Sequence, residues 1–213
     1  MQELGALTPS LFVDADGTFS FWRYARSPAG RLLHIFPTGL WAIIAPFQLS
    51  PSFRSKYRTA HRRMGRVFIA LSVSMAFGIP CLIISRATKT DYGVVHGGAM
   101  ITAAGYFLVT ALLAIRHARK KNFALHRLWV LRHVAIGYAV AFQRLIMAVT
   151  LSFVIVFLPN CEEASQAGSD LRTVVLGVYF WFSVVVSVCS MEVWLHYTSR
   201  SSVGATTWTQ KRD

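Results

Sequence analysis

Acidic side chains are what this chain has least of: nine Asp and Glu stand against 22 Lys and Arg, for a formal net charge of +13. The sequence offers no paired-carboxylate site for acid–base hydrolysis. It also lacks a glycine-rich phosphate loop and a nucleophile elbow, so phosphotransferase and esterase chemistry have nothing to stand on. Only three cysteines occur, and Cys81 and Cys189 fall inside apolar stretches, where each reads as a small filler. Cys161 is alone in a polar segment, so neither a disulfide framework nor a zinc signature is readable. Charge of either sign is thin as well, at 15% of residues against about 25% in soluble domains. Much of the surface therefore meets something other than water.

What the chain does have is long apolar runs, with 54% of residues hydrophobic. About 20 such residues at ~1.5 Å rise cross a hydrocarbon core of ~30 Å. Five stretches qualify, at about 32–50, 64–85, 92–115, 130–158 and 173–195. The first 20 residues carry Glu3, Asp14 and Asp16 without a basic start or a compact apolar region, so the reading includes no cleavable signal.

The basic residues sort by loop rather than spreading over a face. Residues 50–66 hold Arg54, Lys56, Arg58, Arg62, Arg63 and Arg66, and residues 116–132 hold Arg116, Arg119, Lys120, Lys121, Arg127 and Arg132. The alternate loops hold only Arg86, Lys89 and Arg172. Lys and Arg accumulate on the cytoplasmic side of short loops, so the expected topology has the amino terminus outside and the carboxyl terminus inside. The charge then serves topology and anionic lipid at the inner loops, and a nucleic-acid partner is not expected. The expected organisation is an outer segment over 1–30, a five-helix membrane domain over 31–196, and a cytoplasmic tail over 197–213.

Four histidines punctuate these runs. His34 opens the first and His61 lies in the basic loop after it, 27 residues on; His96 opens the third and His126 lies in the next basic loop, 30 residues on. Spans one-plus-two and three-plus-four thus read as two similar hairpins, with HRRMGR (61–66) and HRLWVLR (126–132) as matching phrases and a fifth helix closing the bundle. An ionisable residue inside a membrane is a functional candidate, and neutral imidazoles on facing helices suit the axial positions of haem iron. The expected sites are an outer pair, His34 with His96, and an inner pair, His61 with His126 or His133. Gly97 and Gly98 beside His96, and Gly65 and Gly137 one turn beyond His61 and His133, would let a flat macrocycle approach the backbone. The plainer alternative makes these histidines interfacial caps bonded to carbonyls, water or lipid phosphate.

Arg144, preceded by Gln143, falls near the middle of the fourth run and is expected to face the bundle interior. It reads either as an anion clamp, on a haem propionate or an anionic substrate, or as helix glue bonded to carbonyls, Gln48 or Tyr106. Glu192, nearer the inner face, is a poor match for it in depth. The tryptophans read mostly as interfacial, and the glycines at 93–98 and 98–105 as helix-packing positions.

HIFPTGLWAIIAPFQL (34–49), HRRMGRVF (61–68), the glycines after His96, HRLWVLRH (126–133) and FQRL (142–145) together resemble a widespread family of small polytopic membrane proteins of unknown function, over roughly residues 30–150. That resemblance implies a topology and a set of suspect residues. A looser similarity is to ascorbate-reducible b-type cytochromes and the ferric reductase membrane domain, which implies two haems held by four histidines on a helical core. The chain departs from those in spacing, in the closeness of His61 and His126 to the interface, and in lacking ascorbate- or flavin-binding segments. The expected function is a haem-b transmembrane electron carrier, with a non-enzymatic scaffold or a small transporter centred on Arg144 as the alternative.

Overall fold

Two prolines shape the first helix, since neither Pro37 nor Pro46 has the N–H that would close an i→i−4 bond. In the computed structural model, which describes residues 27–84, 94–157 and 169–209, α1 runs from Pro28 to Leu49. Ser27 caps it, its hydroxyl accepting from the Gly30 N–H at 3.2 Å. A π-helical stretch, Arg31–Ile35, lies just ahead of Pro37. Pro37 frees the Leu33 carbonyl, and the Ser74 hydroxyl donates to it at 2.9 Å. Pro46 frees the Ala42 carbonyl, and the Tyr138 hydroxyl donates to that one at 3.1 Å. In hydrocarbon a freed carbonyl must find a donor on a neighbour. Each proline thereby ties α1 to another helix: α3 (Arg58–Ile84) in the first case, α5 (Phe123–Phe157) in the second.

The remaining elements follow from caps and turns. Ser50 ends α1 and opens the short α2 (Pro51–Lys56), its hydroxyl accepting from the Phe53 N–H at 3.2 Å. α4 spans Val94–Arg119. It gives way to a tight turn in which Lys121 takes a left-handed conformation, φ 57°. Asn122 then caps α5, its Oδ1 accepting from the Leu125 N–H at 3.2 Å. α6 runs from Ser169 to Thr209. α1 packs on α3 and α4 on α5, α3 and α4 join the two hairpins, and α6 closes the bundle against α4 and α5. The described residues contain no strand, and α1, α3, α4, α5 and α6 each include at least 22 residues apolar enough in composition to cross a membrane. The protein is all-α with five candidate spans, as the apolar runs indicated.

Boundaries differ from expectation at the basic end. α3 starts at Arg58 rather than 64, and α5 at Phe123 rather than 130, so both His-Arg phrases are helix and not loop. Helices run on past the hydrocarbon because nothing in the polar headgroup region interrupts their ladders. For the same reason α6 continues through the segment expected as a polar tail, up to Thr209.

The core centres on Trp41, which is 1% exposed and is a core residue rather than an interfacial one. Its indole stacks on Phe68 at 4.9 Å and leans on Phe107 at 5.7 Å. Its far edge lies against Gly137, where any added Cβ would overlap the ring. Gly78 likewise accepts the backbone of α1 at Leu33 and His34, a Cβ there coming within 2.7 Å of His34 Cβ. Close packing therefore occurs at these positions and not at those expected. Gly98 and Gly105 would meet no heavy atom within 4 Å, and Gly93 lies outside the described residues.

Candidate functional site

His34 sits in the π-helical stretch of α1, a distortion that often marks functional positions. Its Nδ1 lies 2.9 Å from the Met75 carbonyl on α3. A carbonyl only accepts, so Nδ1 carries the hydrogen and donates it, and in the neutral ring Nε2 holds the lone pair. His34 lines a partly open cleft of about 260 Å³ between α1, α3, α4, α5 and α6. Thr38, Gln143 and Arg144 supply the other polar lining, while Met75, Phe107 and Phe180 are among the apolar walls. The side chain of His96, the expected partner of His34, lies outside the described residues; its backbone is in the first turn of α4, four residues before Met100 of the same cleft.

Arg144 does not fill the bundle interior, contrary to expectation: its side chain is exposed on α5 at the cleft. It makes no hydrogen bond to Gln48 or Tyr106, and Gln48 instead donates to the His61 carbonyl at 3.3 Å.

At the basic end His126 repeats the arrangement of His34. Its Nδ1 donates to the Ala114 carbonyl of α4 at 2.9 Å. His61 on α3 lies within electrostatic range of His126 and Arg54. The His61 Nδ1 is enclosed without a hydrogen-bond partner among the described residues, as is that of His117. No group of three or more His, Cys, Asp or Glu suited to a metal ion occurs among the described residues.

His133 is built differently. It is 1% exposed and stacks on Phe107 with ring centroids 4.0 Å apart. Nδ1 donates to the Phe107 carbonyl at 3.0 Å, with the Thr110 hydroxyl at 3.2 Å. Nε2 lies 2.9 Å from Ser72 Oγ, whose single hydrogen faces both Nε2 and the Phe68 carbonyl at 2.8 Å and whose oxygen accepts from the Trp41 indole N–H at 3.0 Å. Both ring nitrogens are thus engaged, and one polar chain links α1, α3, α5 and α4 through Trp41, Ser72, His133 and Thr110. The glycine one turn beyond His133, Gly137, is occupied by the Trp41 ring. Ser72 and Thr110 carried no sequence signal, because a lone hydroxyl in an apolar run commonly bonds its own helix.

Arg132 and Glu192 form a pair that the loop charges alone do not indicate. Arg132 donates to both carboxylate oxygens, Nε to Oε1 at 2.5 Å and an Nη to Oε2 at 2.8 Å. Its guanidinium stands 4.8 Å from the Trp129 ring centroid. This forked pair fastens α6 to α5 toward the basic end. A usable signal existed: of the nine acidic residues, Glu192 is the one that falls within a candidate span.

No curated protein and no solved structure matches the chain. The sequence profile of one family does, over residues 31–195, from the first helix into α6, and that family is described as predicted membrane protein (DUF2306). With five apolar helices folded as described and most of its length matched, the chain belongs to this family and is an integral membrane protein.

Proposed function

We propose that this protein is a haem-b transmembrane electron carrier, with His34 an axial ligand at one end of the bundle and His126, together with His61, serving the basic end. One observation carries the reading. His34 and His126, on different helices at opposite ends, each donate Nδ1–H to a backbone carbonyl at 2.9 Å. Metal-ligating histidines almost always fix the other ring nitrogen in this way, which sets the tautomer and ring orientation and raises the basicity of the ligating nitrogen. The donor chemistry therefore fits haem iron, and the cleft at His34 is only partly enclosed, so a flat ligand need not be contained by it. His133 has no nitrogen to spare, which favours His126 for the basic end. His96 is the candidate second ligand at the His34 end.

Bound haem supplies one-electron chemistry through its iron. The chain's own part is to hold each imidazole in the tautomer whose Nε2 carries the lone pair, exclude bulk water with Phe107, Phe180 and the methionines, and separate the two ligand sets by the Trp41 core. The basic end faces the cytoplasm in this reading, following the distribution of Lys and Arg, with anionic lipid at its loops. The second reading, a small transporter for an anionic substrate, is favoured by Arg144 at the same cleft. A dithionite-reduced minus oxidised absorption spectrum with a haem-to-protein ratio tests the choice. Sharp b-type bands that His34→Ala and His126→Ala each diminish by about half are the expected result. A protein that stays colourless when produced with excess haem overturns the carrier reading and leaves the transporter.

A further inference from the structure

Among the described side chains, Arg144 meets no counter-charge. An arginine at the centre of a membrane helix costs about 2.5–3.5 kcal/mol on insertion scales, and the cost falls only when a partner or water meets it. One acidic residue lies within the spans, Glu192, and both of its carboxylate oxygens are taken by Arg132. Arg144 makes no hydrogen bond or ion pair with any described residue, yet it lines the cleft beside His34 and Gln143, and Gln143 is 2% exposed. The rest of that lining is largely apolar, with Ile79, Met100 and Val140 joining the aromatic walls. An unpaired forked cation at the rim of an apolar slot selects a carboxylate borne on an apolar body, since the guanidinium fits both carboxylate oxygens at once.

We infer that Arg144 is the carboxylate-holding arm of the His34 cleft and that its partner is a propionate of the haem proposed to bind there. The inference rests on the proposed function, from which it differs in assigning a role to a residue that ligates nothing. Arg144 is a positioning residue here: it fixes the orientation and tightens the hold of a ligand whose iron is bound by others.

The test is a titration of the purified protein in mild detergent with haemin and with haemin dimethyl ester, followed by Soret absorption. The ratio of the two dissociation constants is compared between wild type and Arg144→Gln, so that unequal partition into micelles cancels. Wild type is expected to favour haemin over the ester by about 10- to 100-fold more than Arg144→Gln does, the range for one hydrogen bond to a charged group. Arg144→Lys is expected to fall between them, and its thermal midpoint guards against loss of fold. A ratio unchanged by Arg144→Gln, with haemin still bound and His34-dependent, overturns the arginine's role and leaves the carrier reading standing. That is also the result expected if Arg144 reaches a lipid phosphate instead. Failure of wild type to bind either porphyrin overturns both.

Discussion

Ser72 illustrates how much one hydroxyl can organise. Its oxygen accepts from the Trp41 indole and lies beside His133 Nε2, and both partners are about 1% exposed. Ser72→Ala would leave an indole N–H and an imidazole nitrogen buried without partners, each costing about 1–3 kcal/mol. Thr110→Val removes a hydroxyl whose acceptors, the Tyr106 and Phe107 carbonyls, already belong to a helical ladder, and His133 Nδ1 keeps its bond to Phe107. Thermal unfolding in detergent is therefore expected to show a clear loss for Ser72→Ala and a change of under about 1 kcal/mol for Thr110→Val. Equal losses would mean that the network does not hold His133. Gly137→Ala is expected to destabilise as well, by the 1–3 kcal/mol or so of an overpacked core, because the added methyl has only the Trp41 ring to displace.

At the scale of elements, α1 shows what a local pattern holds and what it leaves out. Pro37 and Pro46 were visible in HIFPTGLWAIIAPFQL, and each necessarily frees the carbonyl four residues earlier. What no local pattern contains is which residue on another helix answers. Ser74 and Tyr138 do so from 41 and 96 residues away. Tyr138→Phe is expected to cost on the order of 0.6 kcal/mol, the average for an interhelical hydrogen bond in a membrane, measurable as a lowered unfolding midpoint. No change would show that the Ala42 carbonyl has another donor. The same division between local and distant information explains the rest of the comparison. The five spans and their pairing into hairpins were legible because apolar length and loop charge are local quantities. The burial of Trp41 and the exposure of Arg144 are not legible in the same way, because both depend on which helices pack alongside.

For the whole molecule, the two ends are chemically unlike. Arginines and lysines crowd the loops beside His61 and His126, while the cleft of His34 and Arg144 opens among the far turns of the bundle. With the basic end cytoplasmic, a cysteine placed at Lys121 in a background lacking Cys81, Cys161 and Cys189 should react with an impermeant maleimide only from the cytoplasmic side. Labelling from the opposite side of intact cells would invert the topology. The Arg132–Glu192 pair carries a different kind of consequence. Glu192 lies 60 residues after Arg132 in the chain, so during synthesis the fourth span emerges from the ribosome well before the acid that neutralises it exists. Until the last helix arrives, Arg132 has no carboxylate partner from α6, and a chain cut short before that helix never gains one. The ion pair thereby records completion, since it forms only in a copy whose last helix is in place.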